Sequence, residues 1–243
     1  MSDKGGAEGV DLKGFMAEFD KKNKLLIQEI GRTYSQLESL SWLQRRLSIK
    51  GQLPPLRGWA ASPDVLLKLH TYVMEVKPRI IIEFGSGSTT IVIADALRQN
   101  GIGKLISVEH SQYYADQTIA HLNAEYLTSW VDLRVGSLEP WNDVHMNTKG
   151  KEKPSKWYPR RLLKDIDGID LLLVDGPPAA TCQFARYPAV PALLERLSDN
   201  AQIWMDDTAR RDEKTVCQQW SDDYGFNLEY VPMEKGLGIL KRI

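Results

Sequence analysis

The stretch EFGSGSTT, Glu83 to Thr90, follows the apolar run RIII and precedes IVIADALRQN, residues 91–100. A short β-branched run bounded by glycine and then by a helical pattern reads as strand, loop and helix. Glycines at 85 and 87 let the backbone turn sharply and approach a ligand with no Cβ in the way, and the helix behind them offers unpaired amides. The loop fits neither familiar phosphate pattern. G-x-G-x-x-G needs glycine where the chain has Thr90, and a Walker loop needs a lysine that is absent. It reads as a ligand loop without a pyrophosphate signature.

Beyond this loop, strands and helices alternate. KLISVEH is the second strand, followed by SQYYADQTIAHLNAEY as helix; VDLRVGS is the third, IDLLLVDG the fourth and AQIWMDD the fifth, with ARYPAVPALLERLS as a proline-started helix before the last. Such alternation predicts a parallel sheet covered on both faces. After RDEKTVCQQWSDDY as helix, NLEYVPME and KGLGILKR read as two strands joined by a tight turn at Lys235 and Gly236, which requires an antiparallel hairpin. The expectation is a Rossmann-like α/β fold: a mostly parallel seven-stranded sheet with a C-terminal antiparallel hairpin.

Upstream, the first ten residues are small, polar and glycine-rich and predict a disordered tail. From Asp11 to Leu47 a helical stripe follows, in which Phe19, Leu26, Thr33, Leu40 and Leu47 recur every seven residues beside Met16, Ile30 and Leu37. It predicts either a coiled-coil seam for homo-oligomerisation or an amphipathic helix lying on the main domain, since Asn23, Thr33 and Gln44 interrupt it. KGQLPPLRGWAASPD is a linker or ordered loop, and Ser62 before Pro63 predicts a serine-capped helix start. The chain therefore divides into a tail and helical segment over residues 1–50 and one α/β domain over residues 51–243.

A length of 243 residues suits a single core. Thirty-one basic against thirty-two acidic residues leave a net charge of -1, which gives no global basis for binding nucleic acid. No apolar run approaches the ~20 residues needed to span a bilayer, and the start lacks the pattern of a secretory signal. Cys182 and Cys217 show no metal-ligand spacing. These features fit a cytoplasmic protein.

In open α/β sheets, ligands bind beyond the carboxyl ends of the strands. Those ends carry Glu83 and Gly85, Glu109 and His110, Gly136 and Ser137, Asp175 and Gly176, and Asp206 and Asp207. Glu109 stands where a carboxylate accepts both hydroxyls of a ribose. E-F-G-S-G-S, V-E-H, V-G-S after the third strand, L-V-D-G-P-P after the fourth and the closing hairpin together resemble the class I S-adenosylmethionine-dependent methyltransferases, over residues 62–243. Ser88 departs from the third glycine of many members. The resemblance implies S-adenosyl-L-methionine as cofactor, with Gly85, Ser86 and Gly87 under its methionine part and Glu83 and Ser88 beside them. It also implies Glu109 and His110 at the ribose, Ser137 and Leu138 bordering adenine, and Asp175 near the transferred methyl.

More narrowly, LPPLRGWAASPD, WY before the fourth strand, VDGPP with RYPAVPALL, and the DD pair are similar to bacterial methyltransferases linked to surface-sugar synthesis. That likeness implies O-methylation of a saccharide or glycoconjugate. Asp175, Asp206 and Asp207 form a hard-oxygen set suited to Mg2+ or another divalent cation. The set is similar to that of catechol-type methyltransferases, where the cation acidifies the acceptor hydroxyl. Alternatively, one aspartate of the pair caps the helix begun near Thr208 and the other meets solvent or Arg210. The catechol-type lysine base has no counterpart, because Pro178 stands in its place.

Asp175, His145 and His110 are the candidate proton acceptors, with Asp206 beside Asp175 in the catalytic set. Lys149, Lys151, Lys153, Lys156, Arg160 and Arg161 surround Trp157 and Tyr158 in a long irregular stretch, predicted to close over an anionic sugar. Arg57, Trp59 and Arg186 complete the candidate acceptor contacts. A phenolic or amine metabolite as acceptor, and a non-catalytic assembly module that merely holds cofactor, are the alternative readings.

Overall fold

The computed structural model describes residues 12–146 and 154–242. The predicted tail and Lys149, Lys151 and Lys153 lie outside the described residues. Helix α1 (Leu12–Arg46) leads to α2 (Pro63–Val76), after which come β1 (Ile80–Phe84), α3 (Ser88–Asn100), β2 (Lys104–Glu109), α4 (Gln112–Ala124) and β3 (Val131–Val135). A short ladder of β4 (Glu139–Pro140) and β5 (Lys156–Trp157) interrupts the alternation. It resumes with β6 (Ile169–Val174), α5 (Ala189–Leu193), β7 (Leu197–Asp206), α6 (Arg211–Tyr224), β8 (Phe226–Val231) and β9 (Leu237–Arg242).

The main sheet has seven strands in the order β3-β2-β1-β6-β7-β9-β8, parallel except for β9, which runs antiparallel to both β7 and β8. IIIEF and IDLLLV are apolar almost throughout because their strands are covered on both faces. Ile81, Leu105, Leu171 and Leu173 pack with α2 and α3, whereas Ile82, Phe84, Ile106, Leu172 and Val174 pack with Tyr187, Val216 and Trp220 on the opposite face. The chain leaves β1 towards β2 on one side and later enters β6 on the other. This reversal puts EFGSGSTT at the crevice between them.

Two buried carboxylates tie the N-terminal segment to this body. Asp95 of α3 accepts the Ser48 N–H at 2.9 Å while pairing with Arg98, and Glu125 accepts the N–H groups of Lys50 and Gly51 at 2.7 and 2.6 Å. At the far end, Lys235 Nζ donates to the carbonyls of Gly58 and Ala60 at 2.8 and 2.7 Å. Residues 48–61 are thus an ordered strap fastened at both ends, not a loose linker.

Several local expectations change. Ser62 does not cap α2; its hydroxyl donates to Asp64 Oδ1 at 2.5 Å, and that oxygen accepts the Val65 N–H at 2.8 Å. The helix expected over ARYPAVPALLERLS shrinks to the five residues of α5, whose middle Pro191 has no N–H to give. The turn before β9 is longer than two residues, and it braces the segment after β7: the carbonyls of Gly236 and Lys235 accept the N–H groups of Thr208 and Ala209 at 3.3 and 2.8 Å. Along α1 only Leu43 is buried. Among the described residues no helix is long and apolar enough to cross a membrane.

Candidate active site

The loop after β1 is shaped from beneath. Thr90 accepts the Gly87 N–H at 2.9 Å and donates its own hydroxyl to Glu83 Oε2 at 2.6 Å, and Ser107 of β2 donates to the same oxygen at 2.8 Å. Glu83 is fully buried and does not line the cleft above. Its expected place among the cofactor contacts is corrected: it acts on the loop through Thr90. Burial pushes its carboxyl up to about 7, against the hydroxyl hydrogen bonds that favour the charged form. Gly85 holds φ +94°, and a Cβ there would lie 3.1 Å from the Asp175 carbonyl, so β1 and β6 approach each other only because this residue is glycine.

Gly85, Ser86, Gly87 and Ser88 line one wall of a cleft of about 340 Å³. Glu109, at the end of β2, lines it too. Its Oε2 accepts the Ser86 N–H and its Oε1 accepts those of His110 and Ser111, each at 2.8 Å. Burial alone would raise this carboxyl, but the hydrogen bonds from His110, Ser86 and Ser111 outweigh it and hold the group below its ordinary range. His110 Nδ1 lies 2.9 Å from Glu109 Oε1. His110 also borders an adjoining lobe of about 540 Å³, where Ser137 and Leu138 lie with Lys156 and Thr181. The strap supplies the opposite wall of the cleft through Pro54, Arg57 and Trp59, the last 71% exposed.

Asp175, Asp206 and Asp207 present carboxylate oxygens within 4.8 Å of one another. A divalent cation would suit that chemistry, but a guanidinium already sits among them. Arg186, buried, donates through Nη2 to Asp207 Oδ2 at 2.9 Å and Asp175 Oδ1 at 3.2 Å, and through Nη1 to the Asp206 carbonyl at 3.0 Å. Arg210 also meets Asp207 Oδ2 at 2.9 Å. Asp206 Oδ1 accepts the Asp207 N–H at 2.8 Å, and Asp206 is buried behind the cleft, outside its lining. The expected metal set is therefore already engaged by arginines, and Asp206, expected in the catalytic set, is buried outside the cleft lining. Burial and then Asp206 raise the Asp175 carboxyl well above the usual range; burial and then Asp207 take Asp206 to about 6. Arg186, expected as an acceptor contact, lines the cleft while serving these carboxylates.

Other expected residues are displaced from the chemistry. His145 is not part of the cleft lining; its ring meets Tyr187 edge-on at 5.7 Å with Nε2 3.4 Å from the Gln183 carbonyl, and burial lowers its pKa. Trp157 is buried against Phe84, ring centroids 4.7 Å apart, and Tyr158 stacks on the same ring at 5.0 Å, so the pair is no sugar platform. Tyr158 does line the cleft, its buried hydroxyl without a partner among the described residues and so close to Gly176 that a side chain there would collide with it. Arg160 covers the Trp141 ring at 5.0 Å and pairs with Asp143, and Arg161 pairs with Glu139, both at the surface and outside the cleft lining. Tyr114 and Gln117, one turn apart on α4, and Arg210 also line the cleft. Their spacing was the only signal the sequence offered for them.

A glycine loop at a strand-order reversal, with a buried carboxylate at the next strand end, lies where proteins of the open α/β class bind their ligands. A family model described as a methyltransferase domain matches residues 82–208, more than half of the chain, and the chain belongs to that family. Among curated proteins none matches the sequence significantly. Solved structures share the fold. The SAH-bound methyltransferase PaMTH1 of Podospora anserina aligns with a TM-score of 0.60 at 15% identity, over 86% of this chain and 87% of that one. An O-methyltransferase of Bacillus cereus in complex with SAH aligns at 0.55 and 14% identity, over 86% and 91%. The O-methyltransferase TomG of Streptomyces achromogenes, in complex with SAM, aligns at 0.53 and 16% identity, over 85% and 88%. At these identities the likeness is one of fold.

The raised carboxyl of Glu83 gives a test of the loop's foundation. The native state binds this proton more tightly than the unfolded chain, so folding stability falls as pH climbs from the ordinary glutamate range to about 7 and is flat above it. Glu83→Gln, uncharged throughout, is expected to lose less stability than the wild type between about pH 5 and about pH 8, by on the order of 3 kcal/mol. Urea unfolding at several pH values measures it, and parallel pH profiles for the two proteins would sink the assignment.

Proposed function

We propose that the protein transfers the methyl group of S-adenosyl-L-methionine to a hydroxyl of a small acceptor, with a saccharide or glycoconjugate as the leading class. The observation that carries the cofactor is Glu109, a buried carboxylate at the end of β2 facing the same cleft as the Gly85 loop. The cofactor complexes of the PaMTH1, Bacillus cereus and TomG proteins support the reading. Bound in the cleft, S-adenosylmethionine would supply a methyl group made electrophilic by a sulfonium, for in-line displacement by the acceptor oxygen.

The chain's own residues divide the remaining work. Glu109 receives hydroxyls, and the loop keeps backbone rather than side chains against the ligand. Tyr158, kept protonated by burial and then by the nearby Glu109 charge, donates its hydroxyl into the cleft. Asp175 and His110 line the cleft and are the groups able to take the proton the acceptor releases. At the mouth, Trp59 offers a ring face to a pyranose, and Arg57 and Arg210 meet an anionic substituent. Mg2+ has no step in this proposal.

Calorimetry with S-adenosylmethionine and its demethylated product tests the cofactor. Glu109→Gln is expected to weaken binding by roughly ten- to a hundredfold, the worth of charge-assisted hydrogen bonds, and undiminished affinity would move the cofactor elsewhere. Mass spectrometry of glycans from cells with and without the protein tests the acceptor; a missing methyl group in its absence is the expected result, and identical spectra count against a saccharide.

We further propose that α1 pairs with a second copy of the chain. Its last turns are docked, Gln36 bonding Asp64 at 2.9 Å and Arg46 bonding Thr71 at 2.6 Å, with Leu43 buried. Before them Leu12, Met16, Phe19, Leu26 and Ile30 form an exposed stripe. Helices in proteins owe most of their stability to packing of an apolar face rather than to propensity. Leu12, Phe19, Leu26 and Thr33 occupy one seam position, and Met16, Asn23 and Ile30 the other; a lone seam asparagine pairs with its own copy in a parallel coil and fixes the register. Leu26→Lys with Ile30→Glu is expected to halve the mass found by light scattering, and an unchanged mass would refute the pairing.

A further inference from the structure

We infer that the acidic strand-end set of this protein is a cation site whose resident is the chain's own guanidinium, Arg186, and that methyl transfer here needs no divalent ion. The inference deepens the proposed function and rests on it for the identity of the reaction.

Three carboxyl groups within 4.8 Å of one another cannot all stay charged without a cation or a proton among them. Arg186 is buried at that point, and its contacts span both strand ends that flank the cleft. From β6 it takes the Asp175 carboxylate at 3.2 Å and the Asp175 carbonyl at 3.3 Å. From β7 and the residue after it, it takes the Asp206 carbonyl at 3.0 Å and the Asp207 carboxylate at 2.9 Å. A divalent ion would bridge the same two strand ends through the same carboxylates. A guanidinium does so with fixed planar donors and cannot lose its charge by deprotonation.

Displacing it has no favourable route. An ion taking the Asp175 and Asp207 oxygens would compete for them with Arg186 and Arg210 and would set its charge beside a buried guanidinium. Arg186 also lines the cleft, so its charge lies beside the ligand. It is a positioning residue: it holds the Asp175 carboxylate at the floor of the cleft and occupies the place of the ion. Arg186 follows β6 within the crossover to α5, so the residue that fills the site arrives from outside the L-V-D-G-P-P and D-D motifs that suggest a metal.

The test uses full-length protein and Mn2+ as the probe, followed by calorimetry and electron paramagnetic resonance. The wild type is expected to show no saturable Mn2+ binding, and its methyl transfer is expected to be unaffected by EDTA. Arg186→Met, close in length but uncharged, leaves the carboxylates facing one another and is expected to show saturable Mn2+ binding where the wild type shows none, with a rise in Tm in its presence. Arg186→Lys keeps the charge and is expected to remain blind to Mn2+. Saturable binding by the wild type that Asp175→Asn abolishes would overturn the inference, as would a folded Arg186→Met protein with no gain. Should the methionine variant fail to fold, the wild-type titration and the EDTA result decide by themselves. S-adenosylmethionine calorimetry on the same wild-type sample separates the two readings: loss of cofactor binding sinks the proposed function, whereas Mn2+ binding sinks only this inference.

Discussion

The hydrogen-bond chain from Gly87 through Thr90 to Glu83 is the constraint on which the rest of the site depends. A buried glutamate in the first strand is costly unless its oxygens are used. Here Oε2 is used twice, by Thr90 at the start of α3 and by Ser107 in β2. One side chain thus registers a helix against two strands. The glycine loop between them keeps its course without touching the glutamate, and Glu109 then holds that course from above through Ser86. The ligand surface is suspended between two carboxylates of opposite temperament, one raised by burial and one lowered by its donors.

The same economy governs the other end of the cleft. The ends of β6 and β7 carry more negative charge than their burial tolerates, and the fold resolves this with arginines rather than with solvent. Asp207 adopts φ +62°, in the left-handed region unusual for a residue with a side chain, and two guanidinium contacts accompany that geometry. The acidic pair is therefore a backbone corner as well as an electrostatic feature.

Much of the fold was legible in the sequence because its signals were local. IIIEF, KLISVE and IDLLLV are largely apolar runs with glycine or a carboxylate at or just past their ends, and each is a strand as expected. The site was legible in part. Strand ends advertise themselves, and Gly85, Glu109 and Asp175, expected from pattern alone, line one cleft. What escaped were residues whose meaning is set by a neighbour distant in the chain. Thr90 looked like a failed glycine until Glu83 and Ser107 closed around it. Trp157 and Tyr158 looked like a platform because nothing local tells a stacking ring from a core ring; Phe84 decides it. Asp175, Asp206 and Asp207 looked like metal ligands because nothing in RYPAVPALL tells that its arginine, Arg186, folds back among them.

The strap has a consequence of a different kind. Residues 48–61 begin where α1 ends, are pinned by Asp95 and Glu125, and finish as a wall of the cleft carrying Trp59. One uninterrupted piece of chain thus joins the helix to the cleft wall, anchored by two carboxylates at one end and by Lys235 at the other. The wall of the cleft is in this sense the continuation of the N-terminal arm.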